Sequence, residues 1–316
     1  MKIVILDGFT LNPGDLSWQP IEALGECDIY ERTSNSQVLE RCQDAKIVFT
    51  NKVVLDAKII AQLPKLKYIG VTATGVNVVD TVAAKKQGIT VTNTPGYGTD
   101  SVAQFVFSQL LNWAQPVAYY SDSVKQNRWS KSADFCYYDH SMIELNNLTM
   151  GIVGYGAIGK KVAQIALAFG MKILIFSRTQ PQTLPTGIDF VPLNELASQC
   201  DVISLHCPLT PDNTGFINAE FLSSMKDSAY LINTGRGPLI NEADLFHALQ
   251  EKIIAGAALD VMSIEPPNKN NSLIKADTAT ITPHIAWATL TARKRLMAIA
   301  TENLQDFLQG KMSNLV

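Results

Sequence analysis

The chain has 316 residues, 47% of them hydrophobic and 17% charged, with a formal net charge of −3. That length suits two domains with sizeable cores. The charge balance excludes a basic face for nucleic acid, and no apolar run reaches the roughly 20 residues that span a membrane.

Met1 to Thr10 lead directly into an apolar strand, with no signal-peptide cleavage pattern. Cys27, Cys42, Cys136, Cys200 and Cys207 are odd in number and lack metal-ligand spacing. Reduced thiols in a cytoplasmic protein and no metal site are expected. Apolar strands are predicted at Ile3–Leu6, Ile47–Phe49, Tyr68–Val71 and Ile89–Val91. Helical patterns fall between them, near Ser36–Cys42, Ala57–Leu63 and Val79–Gln87. This alternation indicates a parallel sheet covered by helices. The turn-rich Asn93–Gly98 then marks a hinge before a long helical pattern from Asp100 to about Tyr120. The aromatic stretch Arg128–Asn147 reads as a loop near a site or as a subunit contact.

A second series of strands follows at Met150–Val153, Ile173–Phe176, Val202–Leu205, Tyr230–Ile232 and Ile254–Ala258, with a helix at Glu242–Gln250. The chain is therefore α/β, with two Rossmann-like doubly wound parallel-sheet domains. A last amphipathic helix runs from Ala288 to Gly310, after a second crossover near Thr282-Pro283-His284.

The richest stretch opens the second series. The strand Met150–Val153 runs into Gly154-Tyr155-Gly156-Ala157-Ile158-Gly159, a helical pattern and a further strand. This is a dinucleotide-binding fingerprint in its proper setting. Gly154 allows the tight turn, Gly156 lets backbone approach a pyrophosphate, and Gly159 lets helix pack on strand. The N–H groups of Ala157, Ile158 and Gly159 open the helix toward the phosphates. NAD sites usually place an acid at the end of the next strand, for the ribose 2′-hydroxyl. Here Ser177-Arg178-Thr179 stand there instead. A guanidinium and two hydroxyls welcome a 2′-phosphate, so the cofactor class is NAD(P) and use of NADP(H) is expected.

A nicotinamide needs a group that handles a proton while hydride moves. Of the four histidines, His247 lies inside a helix and reads as structural. His140 sits in the aromatic stretch and has no assigned place; His206 follows a strand and reads as a bystander. His284 ends the apolar run Thr280–Thr282 after Pro283 and is the chosen acid/base. Glu265, in the proline-stiffened loop after Asp260, is its orienting partner. Arg236, flanked by Gly235 and Gly237 after the strand Ala229–Ile232, is placed to grip a carboxylate. The alternative for Arg236 is a surface loop residue. Lys52 either faces the pocket or lies on the surface.

The blocks Gly154–Gly159, His206-Cys207-Pro208-Leu209-Thr210, Asn233–Gly237, Leu259-Asp260-Val261 with Glu265-Pro266, and Pro283-His284 occur in that order. Together they resemble the D-isomer-specific 2-hydroxyacid dehydrogenases over nearly the whole length. Leu6-Asp7-Gly8, Asn12–Asp15, Thr50-Asn51-Lys52, Gly98–Gln104 and Trp129–Ser132 look like its glycerate dehydrogenase, or hydroxypyruvate reductase, branch. The resemblance implies a discontinuous substrate domain, residues 1–97 and 288–316, around a nucleotide-binding Rossmann domain, residues 98–287. It implies Arg236, Glu265 and His284 as the catalytic set. It further implies that Thr74, Gly75 and Val76 bind the substrate together with Arg236 and His284, the backbone of the Ala73–Val76 loop offering N–H groups to its carboxylate. Asp260 is expected to face the nicotinamide carboxamide, with Cys207, Pro208 and Thr234 lining the cofactor. A homodimer joined through the nucleotide domains is also implied.

The expected activity is reduction of a small 2-keto acid to the D-2-hydroxy acid, with hydroxypyruvate favoured and glyoxylate second. A D-lactate or other D-2-hydroxyacid dehydrogenase is the second enzyme reading. A nucleotide-sensing, corepressor-like binding protein is the reading from another class. Two features depart from the resemblance. Ser177-Arg178 replace the usual acid, and Trp287 stands where many members have a small residue.

Overall fold

The computed structural model describes residues 1–316. The chain forms two compact units, Met1–Gly98 with Trp287–Val316, and Thr99–Ala286. Gly98 and Trp287 thus belong to the first unit rather than to a nucleotide unit spanning 98–287. Trp287 packs there, its ring meeting Tyr97 edge-on at 6.1 Å.

The first unit is built on β1 (Lys2–Ile5), β2 (Glu26–Ile29), β3 (Ile47–Thr50), β4 (Tyr68–Val71) and β5 (Thr90–Thr92). They pair in parallel in the order β2-β1-β3-β4-β5. β2, Glu-Cys-Asp-Ile, was not expected, because a half-exposed polar edge strand carries no apolar run. Val4, Val48, Ile69 and Val91 bury one face. Ile3, Ile5, Phe49 and Tyr68 bury the other, against Leu296, Ala300 and Leu304 of the helix Leu290–Leu308. Both faces need cover, so the inner strands β1, β3 and β4 are largely apolar rather than alternating.

The direction of chain progression reverses between β1 and β3, the switch point at which open parallel sheets hold ligands. Here the carboxylate of Asp7 fills that position. It accepts from the N–H groups of Asn51 at 2.8 Å, Lys52 at 2.6 Å and Val53 at 3.1 Å. The side chain of Lys52 is exposed.

The second unit contains β6 (Thr149–Val153), β7 (Lys172–Phe176), β8 (Ile188–Phe190), β9 (Val202–Leu205), β10 (Tyr230–Asn233), β11 (Gly256–Leu259) and β12 (Ala279–Ile281). Its seven-stranded sheet runs β12-β11-β10-β9-β6-β7-β8, all parallel, and reverses between β6 and β9. β11 begins at Gly256, later than the expected Ile254. The apolar Ile253-Ile254 lies in the approach to the strand. The predicted helix Asp100–Tyr120 ends at Ala114 and resumes as Val117–Lys125. Pro116 lies in the gap, and its ring and missing N–H end a helix. The helix Thr99–Ala114 packs with Ala157–Ala168 on one face of the sheet, through Val106, Leu110, Val162 and Ala166.

The aromatic stretch folds back on the helix Val117–Lys125. Arg128 pairs with Asp139 and lies 4.3 Å over the Tyr137 ring. The hydroxyl of Tyr120 accepts from the N–H of Asp139 at 2.9 Å. Phe135, Tyr138 and Met142 remain exposed beside a small apolar cavity lined by Tyr120, Trp129 and Cys136.

Candidate active site

The carboxyl ends of β6, β7, β9, β10, β11 and β12 carry the site residues of the second unit. β6 ends at Val153, and Gly154 then turns with φ +102°. A Cβ there would lie 2.5 Å from the Cys207 nitrogen, so only glycine fits. Gly156 differs: a Cβ on it would meet nothing within 4 Å. It caps the helix Ala157–Ala168 without any side-chain capping bond. The first N–H groups of that helix therefore face open space, a ready anion site. At the end of β7 the Ser177 hydroxyl donates to the Thr179 carbonyl at 2.6 Å, while Arg178 and Thr179 are exposed.

β9 delivers His206, whose N–H donates to the Val153 carbonyl at 2.7 Å. Its Nε2 pairs with Ser204 Oγ at 2.8 Å. Burial pulls its pKa down to about 4, so the ring is neutral at ordinary pH. Its Nδ1 is buried with no hydrogen-bond partner, as is Oγ1 of Thr234 on β10. β9 and β10 pair in register at Leu205 and Asn233, which makes His206 and Thr234 the next residues of neighbouring strands. Burial also raises the pKa of the Cys207 thiol. His247, expected to be structural, is exposed on its helix. The alternation of that helix buries Leu245, Ala248 and Leu249 and leaves His247 outward.

Beyond β10, the fully buried Asn233 shapes the turn that carries Arg236. Its amide donates to the Arg236 carbonyl at 2.8 Å, and its oxygen accepts from the Gly235 N–H at 3.0 Å. The Arg236 guanidinium donates to the Gly235 carbonyl at 2.7 Å. A Cβ on Gly237 would sit 2.0 Å from the Met262 carbonyl carbon. The glycine therefore lets the arginine loop lie against the loop that bears Glu265.

The structure brings Glu265 and His284 together. Glu265 Oε1 accepts from the Met262 N–H at 3.1 Å, and Oε2 bonds His284 Nδ1 at 2.7 Å. Both side chains are about one-third exposed, at 31% and 28%. With Nδ1 taken by a carboxylate, Nε2 on the other edge of the ring is the position for proton donation. His284 has φ +55°, a left-handed backbone that non-glycine residues seldom adopt.

Asp260 is 1% exposed. Its Oδ1 accepts from Thr282 Oγ1 at 2.7 Å and from the Ile285 N–H at 2.9 Å. Its Oδ2 accepts from the Ala286 N–H at 2.8 Å. The carboxylate is thus mainly engaged with the His284 loop, a role that sequence reasoning missed. Burial raises its pKa, and these hydrogen bonds oppose the rise. In the first unit, the loop after β4 is tied down by Asn93, whose amide donates to the Thr74 carbonyl at 2.7 Å. The N–H groups of Gly75 and Val76 meet no acceptor in the chain.

Residues 107–286 match the family described as D-isomer specific 2-hydroxyacid dehydrogenase, NAD binding domain. The chain belongs to that family. It is 46% identical to the hydroxypyruvate reductase of Blautia hydrogenotrophica, over 100% of this chain and 99% of the relative. It is 42% identical to the glycerate dehydrogenase of Methylorubrum extorquens, over 100% and 98%. Among solved structures it is similar to a glyoxylate reductase from Paecilomyes thermophila, with a TM-score of 0.83 and 25% identity over 100% and 98% of the chains.

This member of the family is an NAD(P)-dependent D-2-hydroxyacid dehydrogenase of two parallel-sheet α/β domains. The residues present fit a nicotinamide dinucleotide. The space above Gly156 is open, the helix after it is uncapped, and His206 Nδ1 and Thr234 Oγ1 are buried polar atoms awaiting partners. No helix is long and apolar enough to cross a membrane, and no group of His, Cys, Asp and Glu could hold a metal ion.

Proposed function

We infer that the protein reduces hydroxypyruvate, and glyoxylate as a second substrate, to the D-2-hydroxy acid. The observation that carries this reading is His284, held on Nδ1 by Glu265 at 2.7 Å in the unit that also holds the glycine loop. The names of the full-length relatives supply the substrate class.

When bound, the reduced nicotinamide supplies the hydride. Ala157, Ile158 and Gly159 would hold its pyrophosphate through their N–H groups, and Cys207, Pro208 and Thr234 would line the cofactor. Asp260, with one acceptor site left on Oδ2, takes the carboxamide. Arg236 binds the substrate carboxylate and polarises the keto oxygen. In the first unit, Thr74 and the N–H groups of Gly75 and Val76 are a further set of donors suited to a carboxylate. His284, as imidazolium, gives its Nε2 proton to the keto oxygen as that oxygen gains charge. Glu265 holds the tautomer and stabilises the charged ring.

NADPH is the favoured cofactor in this reading, because Ser177, Arg178 and Thr179 offer a cation and hydroxyls where a carboxylate would repel a 2′-phosphate. A homodimer through the second unit fits the exposed Phe135, Tyr138 and Met142 on that unit. The free cysteines support a reducing, cytoplasmic setting.

The test is a kinetic matrix of hydroxypyruvate, glyoxylate, pyruvate and a bulkier keto acid, each with NADH and NADPH. The highest kcat/KM is expected for hydroxypyruvate with NADPH. A preference for pyruvate would make the protein a D-lactate dehydrogenase, and nucleotide binding without turnover would make it a sensor. Replacing Ser177 with Asp is expected to move the NADH/NADPH ratio of kcat/KM toward NADH by about tenfold or more. An unchanged ratio would show that the 2′-position is read elsewhere.

A further inference from the structure

A buried polar chain lies behind the His284 loop. Gln109, on the helix Thr99–Ala114, is 4% exposed. Its Nε2 donates to Thr282 Oγ1 at 3.0 Å, and the Thr282 hydroxyl donates to Asp260 Oδ1 at 2.7 Å. Asp260 in turn holds the N–H groups of Ile285 and Ala286. Ser101, from the same helix, donates to the Ala286 carbonyl at 2.6 Å. The Thr282 carbonyl accepts from the His284 N–H at 3.0 Å. The backbone on both sides of His284 is therefore fastened to one frame.

The direction of the chain follows from chemistry. An ionised Asp260 has no proton to give, so the single Thr282 proton goes to it. Thr282 must then accept, which turns the amide of Gln109 toward it and fixes which end is nitrogen. Gln109 Oε1 is left buried without a partner. An apolar side chain at 109 would fill the same space without that orphan oxygen. Stability therefore gives no reason for a glutamine here, whereas a left-handed histidine that must aim a proton does.

We propose that Gln109 and Thr282 are positioning residues for His284, acting through Asp260. The proposal rests on the reading of His284 as the proton donor. The test compares Thr282→Val, Thr282→Ser and Gln109→Met in the full-length protein. Steady-state constants with hydroxypyruvate, melting temperature, and the Cε1–H NMR signal of His284 at one fixed pH are measured for each.

Thr282→Val removes the hydroxyl at nearly constant volume. It is expected to lower kcat by roughly 10- to 100-fold while KM for hydroxypyruvate and for the cofactor stays within about threefold. Thr282→Ser, which restores the hydroxyl, is expected to recover kcat to within about threefold of the parent. Gln109→Met is expected to lower kcat several-fold without lowering the melting temperature, and it carries the test if Thr282→Val does not fold. The His284 signal is expected to shift in Thr282→Val and to return in Thr282→Ser. Unchanged kcat in Thr282→Val and Gln109→Met, or equal losses in Thr282→Val and Thr282→Ser, would overturn the proposal. If the parent reduces no keto acid, the donor reading fails by itself. The His284 signal then decides the positioning role, and a signal unmoved in Thr282→Val would refute it.

Discussion

Replacing His284 with Asn is expected to lower kcat for hydroxypyruvate by roughly two to four decades, with the cofactor Kd unchanged. Asparagine is the informative substitution because it tolerates the left-handed backbone that His284 adopts at φ +55°. The chemistry is then removed while the loop keeps its shape. Alanine at the same position adds backbone strain of about 1 kcal/mol or more. A fall in melting temperature in Ala but not Asn would separate the two contributions. The remainder of the site should survive either change. Glu265 keeps its bond from the Met262 N–H, and Asp260 keeps those from Ile285 and Ala286. Glu265→Gln is the companion. It can still accept a hydrogen bond from Nδ1 but carries no charge to stabilise an imidazolium, so a loss of roughly 10- to 1,000-fold in kcat is expected. Near-normal turnover in His284→Asn would remove His284 from the mechanism.

The parts of this molecule that were legible in the sequence are those in which local pattern and chemistry coincide. The glycine loop was readable because strand, turn and helix signals converge on Met150 to Ala168. Glu265 was readable because it follows the buried strand β11, and His284 because it ends the stretch Thr280–Thr282 and few histidines compete. The misses have physical causes. β2, β8 and β12 are edge strands of three or four residues with half-exposed faces, and none carries a run long enough to be read as a strand. β11 is Gly-Ala-Ala-Leu, and a Cβ on Gly256 would lie 2.8 Å from the Thr278 carbonyl oxygen. Close packing there demands small residues that have little strand propensity, while the more strand-like Ile253 and Ile254 lie outside. The frame behind His284 joins Gln109 to Thr282 across 173 residues of sequence. No local spacing encodes such a contact. Ser101 lay in a block recognised by resemblance, yet its role appears only when its hydroxyl is seen on the Ala286 carbonyl.

Gly156 and Gly154 are expected to respond oppositely to substitution, and the contrast tests where the phosphates lie. Gly156 has φ −82°, which any residue adopts, and a Cβ on it meets nothing within 4 Å. The weaker helix-capping of alanine is offset by its lower unfolded-state entropy, so Gly156→Ala should change stability by only about 0.5 kcal/mol. The fold alone thus gives no reason for a glycine there. A pyrophosphate lying against the Ala157, Ile158 and Gly159 N–H groups does, because a Cβ would hold it off those donors. Gly156→Ala is therefore expected to raise the Kd of NADPH by about tenfold, and Gly156→Val by more, at unchanged melting temperature. Gly154→Ala puts a Cβ 2.5 Å from the Cys207 nitrogen at φ +102°. Strain and overpacking together should cost about 3 kcal/mol or more, so its melting temperature falls whether or not cofactor is present. Titration of cofactor fluorescence together with thermal melts distinguishes the two. Parent-like NADPH binding by Gly156→Val would mean that the open space above Gly156 does not receive the phosphates. Because the cofactor half of the site is read from that loop, the nicotinamide would then have to reach His284 from another direction.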